Sequence, residues 1–449
     1  MATSVSKRRT KWSDAGRENR STSGRPIELT YDGKTPESEI LRMSPIRLNV
    51  LWEGPHPTNR LYFGDNLPFL VNLLHDSSVC GQVKLIYIDP PFATNGVFQS
   101  RTQQDAYHDL LTGPSYIEFV RQRLILLREL LADDGSLYLH LDDNMIFHIK
   151  LIMDEVFGTN NFRNLITRRK SSHKNYTRKS YGNISDYILF YSKSDAYIWN
   201  RPVAAWTDER AKKEYTSIEH DTGRRYKKVP LHAPGVRNGA TGQPWRGLLP
   251  PSGKHWQFTP KQLEEMDGRG EIYWSENGNP RRKIYLDNSD GVPLQNIWYE
   301  FRDTQNQNMR VTGYPTEKNS AMLSVIIQAS SNSGDLVMDC FAGSGTTLEA
   351  ASQLKRPWIG MDNSREALST MLRRFAHGTL PMGDYVERAK HRTSKQHVLP
   401  LEADINVIGD ALEAPIRPPL ETNFTLYSAE SSPEDVSDLL DEWRSWVDR

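Results

Sequence analysis

Apolar residues recur at two distinct spacings near the two ends of this chain, and at neither in its middle. "VKLIYID" (Val83 to Asp89) is a short, β-branched apolar run that suits a strand buried on both faces. Ile117, Val120, Leu124, Leu127 and Leu131 then recur at helical spacing, predicting a helix over Pro114 to Ala132. Asp134-Gly135 turns the chain, and Leu137, Leu139 and Leu141 alternate as in a strand. Further on, "DLVMDCF" reads as strand, "TTLEAASQLK" as helix and "RPWIGMD" as strand again. This β–α–β alternation predicts an α/β fold with a doubly wound, Rossmann-like sheet. From 164 to 300 no period is sustained and Gly, Pro, Trp and Tyr are frequent, so an insertion of short strands and loops is expected there.

Charge refines the division. The 449 residues carry 56 Lys and Arg against 56 Asp and Glu, so no global field points to a polyanionic partner. The charges are segregated, however. Residues 1–43 are polar and poor in large apolar side chains, the composition of a disordered leader. Arg163, Arg168, Arg169, Lys170, Lys174, Arg178 and Lys179 form a run without an intervening acid. The extension 377–449 is acidic at its end, where "SPEDVSDLLDEWRSWV" predicts a helix capped at Ser432, with Pro433 in its first turn. Val436, Leu439, Leu440, Trp443 and Val447 make an apolar stripe on it. That stripe must be covered, either by its own domain or by a docking partner. Between leader and extension lie two α/β halves, 44–163 and 301–376, flanking the insertion. Cys80 and Cys340 are too few for a disulfide framework or a cysteine-built zinc site, and no metal site is expected. No signal-like or membrane-spanning run is present in the sequence, so a cytoplasmic protein is expected.

Two stretches carry chemistry. In "LIYIDPPF" the prolines cannot continue a sheet ladder, so Asp89 is set at a strand's carboxyl end with Phe92 on the loop beyond. In "DCFAGSGTT" Gly343 and Gly345 sit where a strand turns sharply into a helix and a ligand can approach the backbone. Asp362 ends the next strand, near the ~20-residue spacing at which an acid binds ribose hydroxyls. The glycines are followed by no lysine, and the third glycine of the dinucleotide fingerprint is missing, which points to a nucleoside ligand without a pyrophosphate.

Together, "DPPF" and "FAGSGTT" resemble the S-adenosylmethionine-dependent DNA amino-methyltransferases, which modify the exocyclic amine of adenine or cytosine. The order, catalytic motif first and cofactor turn last, is that of their β group. "LYFGDNLPFL", "YPTEKNSAMLSVII" and segments of the insertion such as "GKHWQFTP" extend the likeness. The resemblance implies a catalytic loop of Asp89, Pro90, Pro91 and Phe92, in which Asp89 and the Pro90 carbonyl accept hydrogen bonds from the target amine and Phe92 stacks on an extruded base. It implies cofactor contacts from Asp339, Phe341, Gly343, Gly345 and Thr346, with Asp362 on the ribose, Asp65 by the adenine and Lys318 on the methionine carboxylate. Asp65 reads equally as a helix N-cap. Cys340 and Cys80 lack the setting of the nucleophile that carbon-5 cytosine methylation needs.

The insertion becomes the expected target-recognition region, with Arg168, Arg169, Lys170, Lys174, Arg178 and Lys179 as candidate phosphate contacts on double-stranded DNA. Trp199, Trp245 and Trp256 are read as core. Adenine-N6 transfer within a restriction–modification system is the implied activity. N4-cytosine transfer, and a catalytically silent DNA-binding subunit of a defence complex, remain alternatives, and a homodimer or companion restriction subunit is the implied protein partner.

Overall fold

The computed structural model describes residues 28–91, 97–99, 105–108, 113–171, 179–303, 310–312, 314, 316–381, 421–430 and 435–448. A ten-stranded mixed sheet organises them, in the spatial order Leu48–Glu53, Phe424–Ala429, Asn59–Phe63, Trp358–Asp362, Val337–Asp339, Val83–Ile88, Leu131–Leu141, Ser185–Ser192, Phe162–Arg169 and Ile297–Trp298. From Phe424–Ala429 through Leu131–Leu141 every neighbouring pair is parallel. Ser185–Ser192 runs antiparallel to both of its neighbours.

The central strands are apolar on both faces because both faces are covered. Along Val83–Ile88, Leu85 and Tyr87 join a core with Leu323, Ile326, Leu348 and Met371, while Ile86 and Ile88 join another with Phe69, Leu124, Leu127 and Ile149. Helices Asn66–Leu74, Gly113–Leu130 and Ile146–Phe157 supply the second layer. Ser320–Ser330, Thr346–Gln353 and Arg365–His377 supply the first. The doubly wound α/β expectation holds.

Two boundaries move. Residues 28–43, expected in a disordered leader, pack on the helical layer: Ile40 is fully buried, and Tyr31 Oη donates to Glu118 at 2.6 Å. A few well-placed apolar residues (Leu29, Tyr31, Leu41, Met43) suffice where composition alone suggested none. Residues 1–27 lie outside the described residues. The expected insertion boundary at 164 falls inside the strand Phe162–Arg169, and the irregular part proper holds a four-stranded sheet with a small core of Leu231, Trp245, Trp256, Leu263, Met266 and Ile272.

The acidic extension contributes most unexpectedly. Phe424–Ala429 enters the main sheet between Leu48–Glu53 and Asn59–Phe63. The terminal helix runs Ser437–Val447, with Asp435 accepting from the Ser437 amide at 2.9 Å; the expected cap residues Ser432 and Pro433 lie outside the described residues. Its stripe is covered by its own domain. Trp443 is fully buried against Trp52 and Phe424, and Arg365 and Arg373 pair with Asp438 and Glu442. The docking alternative therefore loses its exposed surface. Among the described residues no helix is long and apolar enough to cross a membrane.

Candidate active site

Four carboxylates stand at the carboxyl ends of four adjacent parallel strands. In spatial order they are Asp65, just past Asn59–Phe63; Asp362, ending Trp358–Asp362; Asp339, ending Val337–Asp339; and Asp89, just past Val83–Ile88. All four line one cavity, in the crevice where open parallel sheets bind ligands. Pro90, Pro91, Lys318, Phe341, Gly343 and Thr346 line it too. Phe92 lies outside the described residues.

The glycine turn explains itself sterically. Gly343 and Gly345 have φ of 52° and 74°, in the left-handed region that side chains disfavour. A Cβ on Gly345 would sit 2.8 Å from Met371 Cγ. Gly345 thus lies behind the cavity wall and shapes the turn, whereas Gly343 lines the cavity. Asp362 holds the turn from below: its Oδ2 accepts from the Gly343 amide at 2.8 Å and its Oδ1 from Ser364 at 2.9 Å. Burial nonetheless raises its pKa.

Asp339 is the most enclosed of the four. Its oxygens accept from the Phe341 amide at 3.0 Å and from Thr347 Oγ1 at 2.6 Å. Burial pushes its pKa up to about 7, opposed by those two donors and helped by the charges of Asp89 and Asp362. A cluster of acids under this strain suits a cationic ligand.

Asp89 is half spoken for. Its Oδ2 lies 2.6 Å from Lys318 Nζ, while its buried Oδ1 has no hydrogen-bond partner among the described residues. A buried carboxylate oxygen of this kind is costly unless a donor arrives. Asp65 caps Asn66–Leu74, as its helix-cap reading expected, through the Leu67 amide at 3.2 Å, and it lines the cavity as well. The Cys340 thiol is buried, and burial drives its pKa far up, so no thiolate nucleophile is offered.

Several residues at or just behind the cavity wall carried no motif. Arg123 reaches Asp65 at 2.7 Å and Asn66 at 2.5 Å and stacks 3.6 Å over Phe119, which lines the cavity. The Phe119–Arg123 spacing of four on a predicted helix was the available signal. Buried Arg374 donates to Thr346 Oγ1 at 2.7 Å and pairs with Glu317, the neighbour of Lys318. Nothing local announced that pair.

The basic run does not act as one surface. Arg168 is 1% exposed and forks onto Asp186, with a further bond to Asp303, so it is not a phosphate contact. Arg169 and Lys170 are half-buried and Lys179 is exposed; Lys174 and Arg178 lie outside the described residues. Trp245 and Trp256 are core as expected, but Trp199 is 47% exposed, stacked on Phe190.

Comparison with known proteins agrees with this geometry. Residues 83–373 match the N6/N4 methyltransferase family model described as DNA methylase. The type II methyltransferase M.EcaI of Enterobacter cloacae is 46% identical over 410 residues, 88% of this chain and 89% of that protein. The Mod subunit of the type III restriction-modification enzyme StyLTI of Salmonella typhimurium is 27% identical over 344 residues, 68% of this chain and 51% of that protein. The type II methyltransferase M.KpnI of Klebsiella pneumoniae is 26% identical over 327 residues, 66% of this chain and 77% of that protein. With a family model matching residues 83–373 and a relative 46% identical over 88% of its length, the chain belongs to the N6/N4 DNA methylases.

Proposed function

We propose that this chain transfers a methyl group from S-adenosylmethionine to the N6 amine of adenine at a specific site in double-stranded DNA. It acts in the cytoplasm, as the modification arm of a restriction–modification system. The observation that carries the reading is Asp89: a strand-end carboxylate with one oxygen on Lys318 and the other buried and unpartnered among the described residues, in the cavity that the Gly343 turn also lines.

When bound, S-adenosylmethionine supplies a methyl group on a sulfonium, which an amine can displace directly. Asp65, Asp339 and Asp362 offer that cation a negative wall. Lys318 fixes the orientation of Asp89 through Oδ2, leaving Oδ1 to accept a hydrogen bond from the target amine. The Pro90 carbonyl accepts the second, which holds the nitrogen lone pair out of conjugation with the ring. Methyl transfer would break the donor's sulfur–methyl bond, leave a neutral thioether and put the positive charge on the amine nitrogen, whose proton Asp89 would accept and return to solvent. The target base has to leave the duplex to reach this cavity. An acid at position 89 favours adenine, because cytosine-N4 members of the resembled family more often carry serine there.

Arg169, Lys170 and Lys179 remain candidate phosphate contacts, with Lys174 and Arg178 beside them in sequence. The Mod-subunit relative supports a companion restriction subunit as a partner. Modification-sensitive sequencing of DNA from a host expressing the chain tests the proposal. N6-methyladenine at one recurring motif is expected, N4-methylcytosine would move the assignment to the other base, and unmodified DNA would overturn it.

A further inference from the structure

A chain of buried polar groups crosses the sheet from the cavity to the recognition side. Tyr87, on the catalytic strand two residues before Asp89, lines the cavity and is 1% exposed. Its hydroxyl is 2.8 Å from His140 Nδ1, and His140 Nε2 lies 3.0 Å from Asp186 Oδ2, a close polar contact whose angle falls short of a hydrogen bond. Asp186 accepts the fork of Arg168, Nε to Oδ1 at 2.8 Å and Nη2 to Oδ2 at 2.6 Å. Arg168 also donates to Asp303 Oδ1 at 2.6 Å and to the Phe301 carbonyl at 3.2 Å. Four strands and one loop are threaded by five side chains.

Stability alone does not explain this arrangement. Taking an arginine, a histidine and an aspartate out of water carries a desolvation penalty for each ion, and apolar residues of similar volume commonly stabilise a core as well or better. Buried networks of this kind instead fix one register among several. The placement of Arg168 makes that register functional. It precedes Arg169 and Lys170 directly, and it pairs with Trp298 across the edge of the sheet. The Lys170 carbonyl accepts from the Asp303 amide at 2.9 Å. Arg168 therefore clamps both chain segments that border the candidate DNA contacts, and through Asp186 and His140 the chain of groups reaches Tyr87 on the strand that precedes Asp89. Burial opposes the ionised form of Asp186, yet its contacts with His140 and Arg168 hold its pKa far below the ordinary carboxylate range, so the ion pair persists at working pH.

We propose that Arg168 is a positioning residue, the hub of a Tyr87–His140–Asp186–Arg168–Asp303 chain that couples DNA engagement by the recognition segment to the setting of the catalytic strand. The inference rests on the methyltransferase reading above, and its test separates the two. Arg168→Lys keeps the charge and loses the fork; Tyr87→Phe removes only the terminal hydroxyl. Single-turnover methylation of the motif-bearing duplex and of a duplex with one base pair changed is measured for each, together with S-adenosylmethionine affinity.

Each variant is expected to lose roughly tenfold or more in rate on the motif, with narrowed discrimination and donor affinity within about twofold. The double variant is expected to lose no more than the worse single one, because both cut the same chain. Multiplying losses in the double variant, or a rate loss that follows donor affinity, would overturn the proposal. So would wild-type discrimination in Arg168→Lys. Methylation by the wild-type chain tests the function reading by itself. Should it be absent, amide hydrogen exchange at residues 85–91 still decides: faster exchange in folded Arg168→Lys supports the coupling, and wild-type exchange refutes it.

Discussion

At the cavity, carboxylates from four separate strands converge on one space; along the strand Phe162–Arg169, adjacent cations part company. The difference lies in the backbone. A residue at the carboxyl end of a parallel strand is delivered to the crevice whatever its neighbours are, so Asp65, Asp89, Asp339 and Asp362 meet because their strands are adjacent. Within a strand, successive residues face opposite sides. Ile166 and Arg168 are both buried, while Leu165, Thr167 and Arg169 between and beside them are more open. Nearness in sequence groups the basic residues, and the pleat separates them.

The strongest way to break this comparison is at Asp89. Asp89→Ala should lower methyl transfer by about 10²- to 10³-fold, the cost of losing one preorganised partner of the reacting group. Donor binding, which the proposal places on the other three acids and the glycine turn, should stay within a few-fold. Single-turnover rates and calorimetry on the same preparation check both halves. Near-normal turnover would remove Asp89 from the chemistry and reduce the four-acid convergence to a binding site.

The acidic extension gives the next largest effect. Its charge pattern resembles a solvated tail, yet Trp443 fills the core between Trp52, Phe424 and Trp446. Trp443→Ala should cost about 3–5 kcal/mol of stability, as large core truncations do, with assembly state unchanged. Denaturant unfolding and light scattering test it. A change of assembly at unaltered stability would restore the docking reading.

These cases show what was legible and what was not. The strands and helices around both motifs follow from apolar spacing, because a parallel strand covered on both faces leaves an uninterrupted signature. "VKLIYID", "DLVMDCF" and "RPWIGMD" each yield a central strand. Gly343 and Gly345 were legible because few residues tolerate their φ angles. The strand Phe424–Ala429 was not. It lies at the opposite end of the sequence from the two strands it joins, and only the assembled sheet gives "FTLYSA" a reason to be extended. Arg168 was misread for want of the period-2 test, which shows that either Arg168 or its neighbour Arg169 must point inward. The Arg374–Glu317 pair, separated by 57 positions, had no local trace at all.

A smaller effect sharpens the cavity side through pH. Asp339 has its pKa raised from 3.8 to about 7, with burial the leading cause. A raised carboxyl pKa means that the folded state binds the proton more tightly than the unfolded one. This group's contribution to stability is therefore fully present below pH 3.8 and is lost as pH rises to about 7. A cationic methyl donor reverses the preference, because it binds the carboxylate form. Donor affinity should then fall toward tenfold per pH unit as pH drops below about 7, and Asp339→Asn should flatten that dependence. Calorimetric titrations across this range would show it. A flat wild-type profile would mean that the donor does not sense Asp339.

The smallest effect tests the recognition side, and it depends on leaving Arg168 alone. If Arg169 and Lys170 touch phosphates, replacing both by alanine should weaken DNA binding evenly across sequences and reduce the log–log salt slope by about 0.9 for each phosphate no longer neutralised. Arg168→Gln, which removes the charge, should leave that slope in place, because the buried guanidinium releases no counterions from DNA. Binding over a salt series, with donor affinity as the control, separates the two outcomes. A slope that falls equally for Arg168→Gln would put the inward-facing arginine back among the phosphate contacts. A slope unchanged in Arg169→Ala/Lys170→Ala would make these two cations solvated neighbours of the site, and the electrostatic contacts with DNA would then have to come from Lys179 and the rest of the insertion.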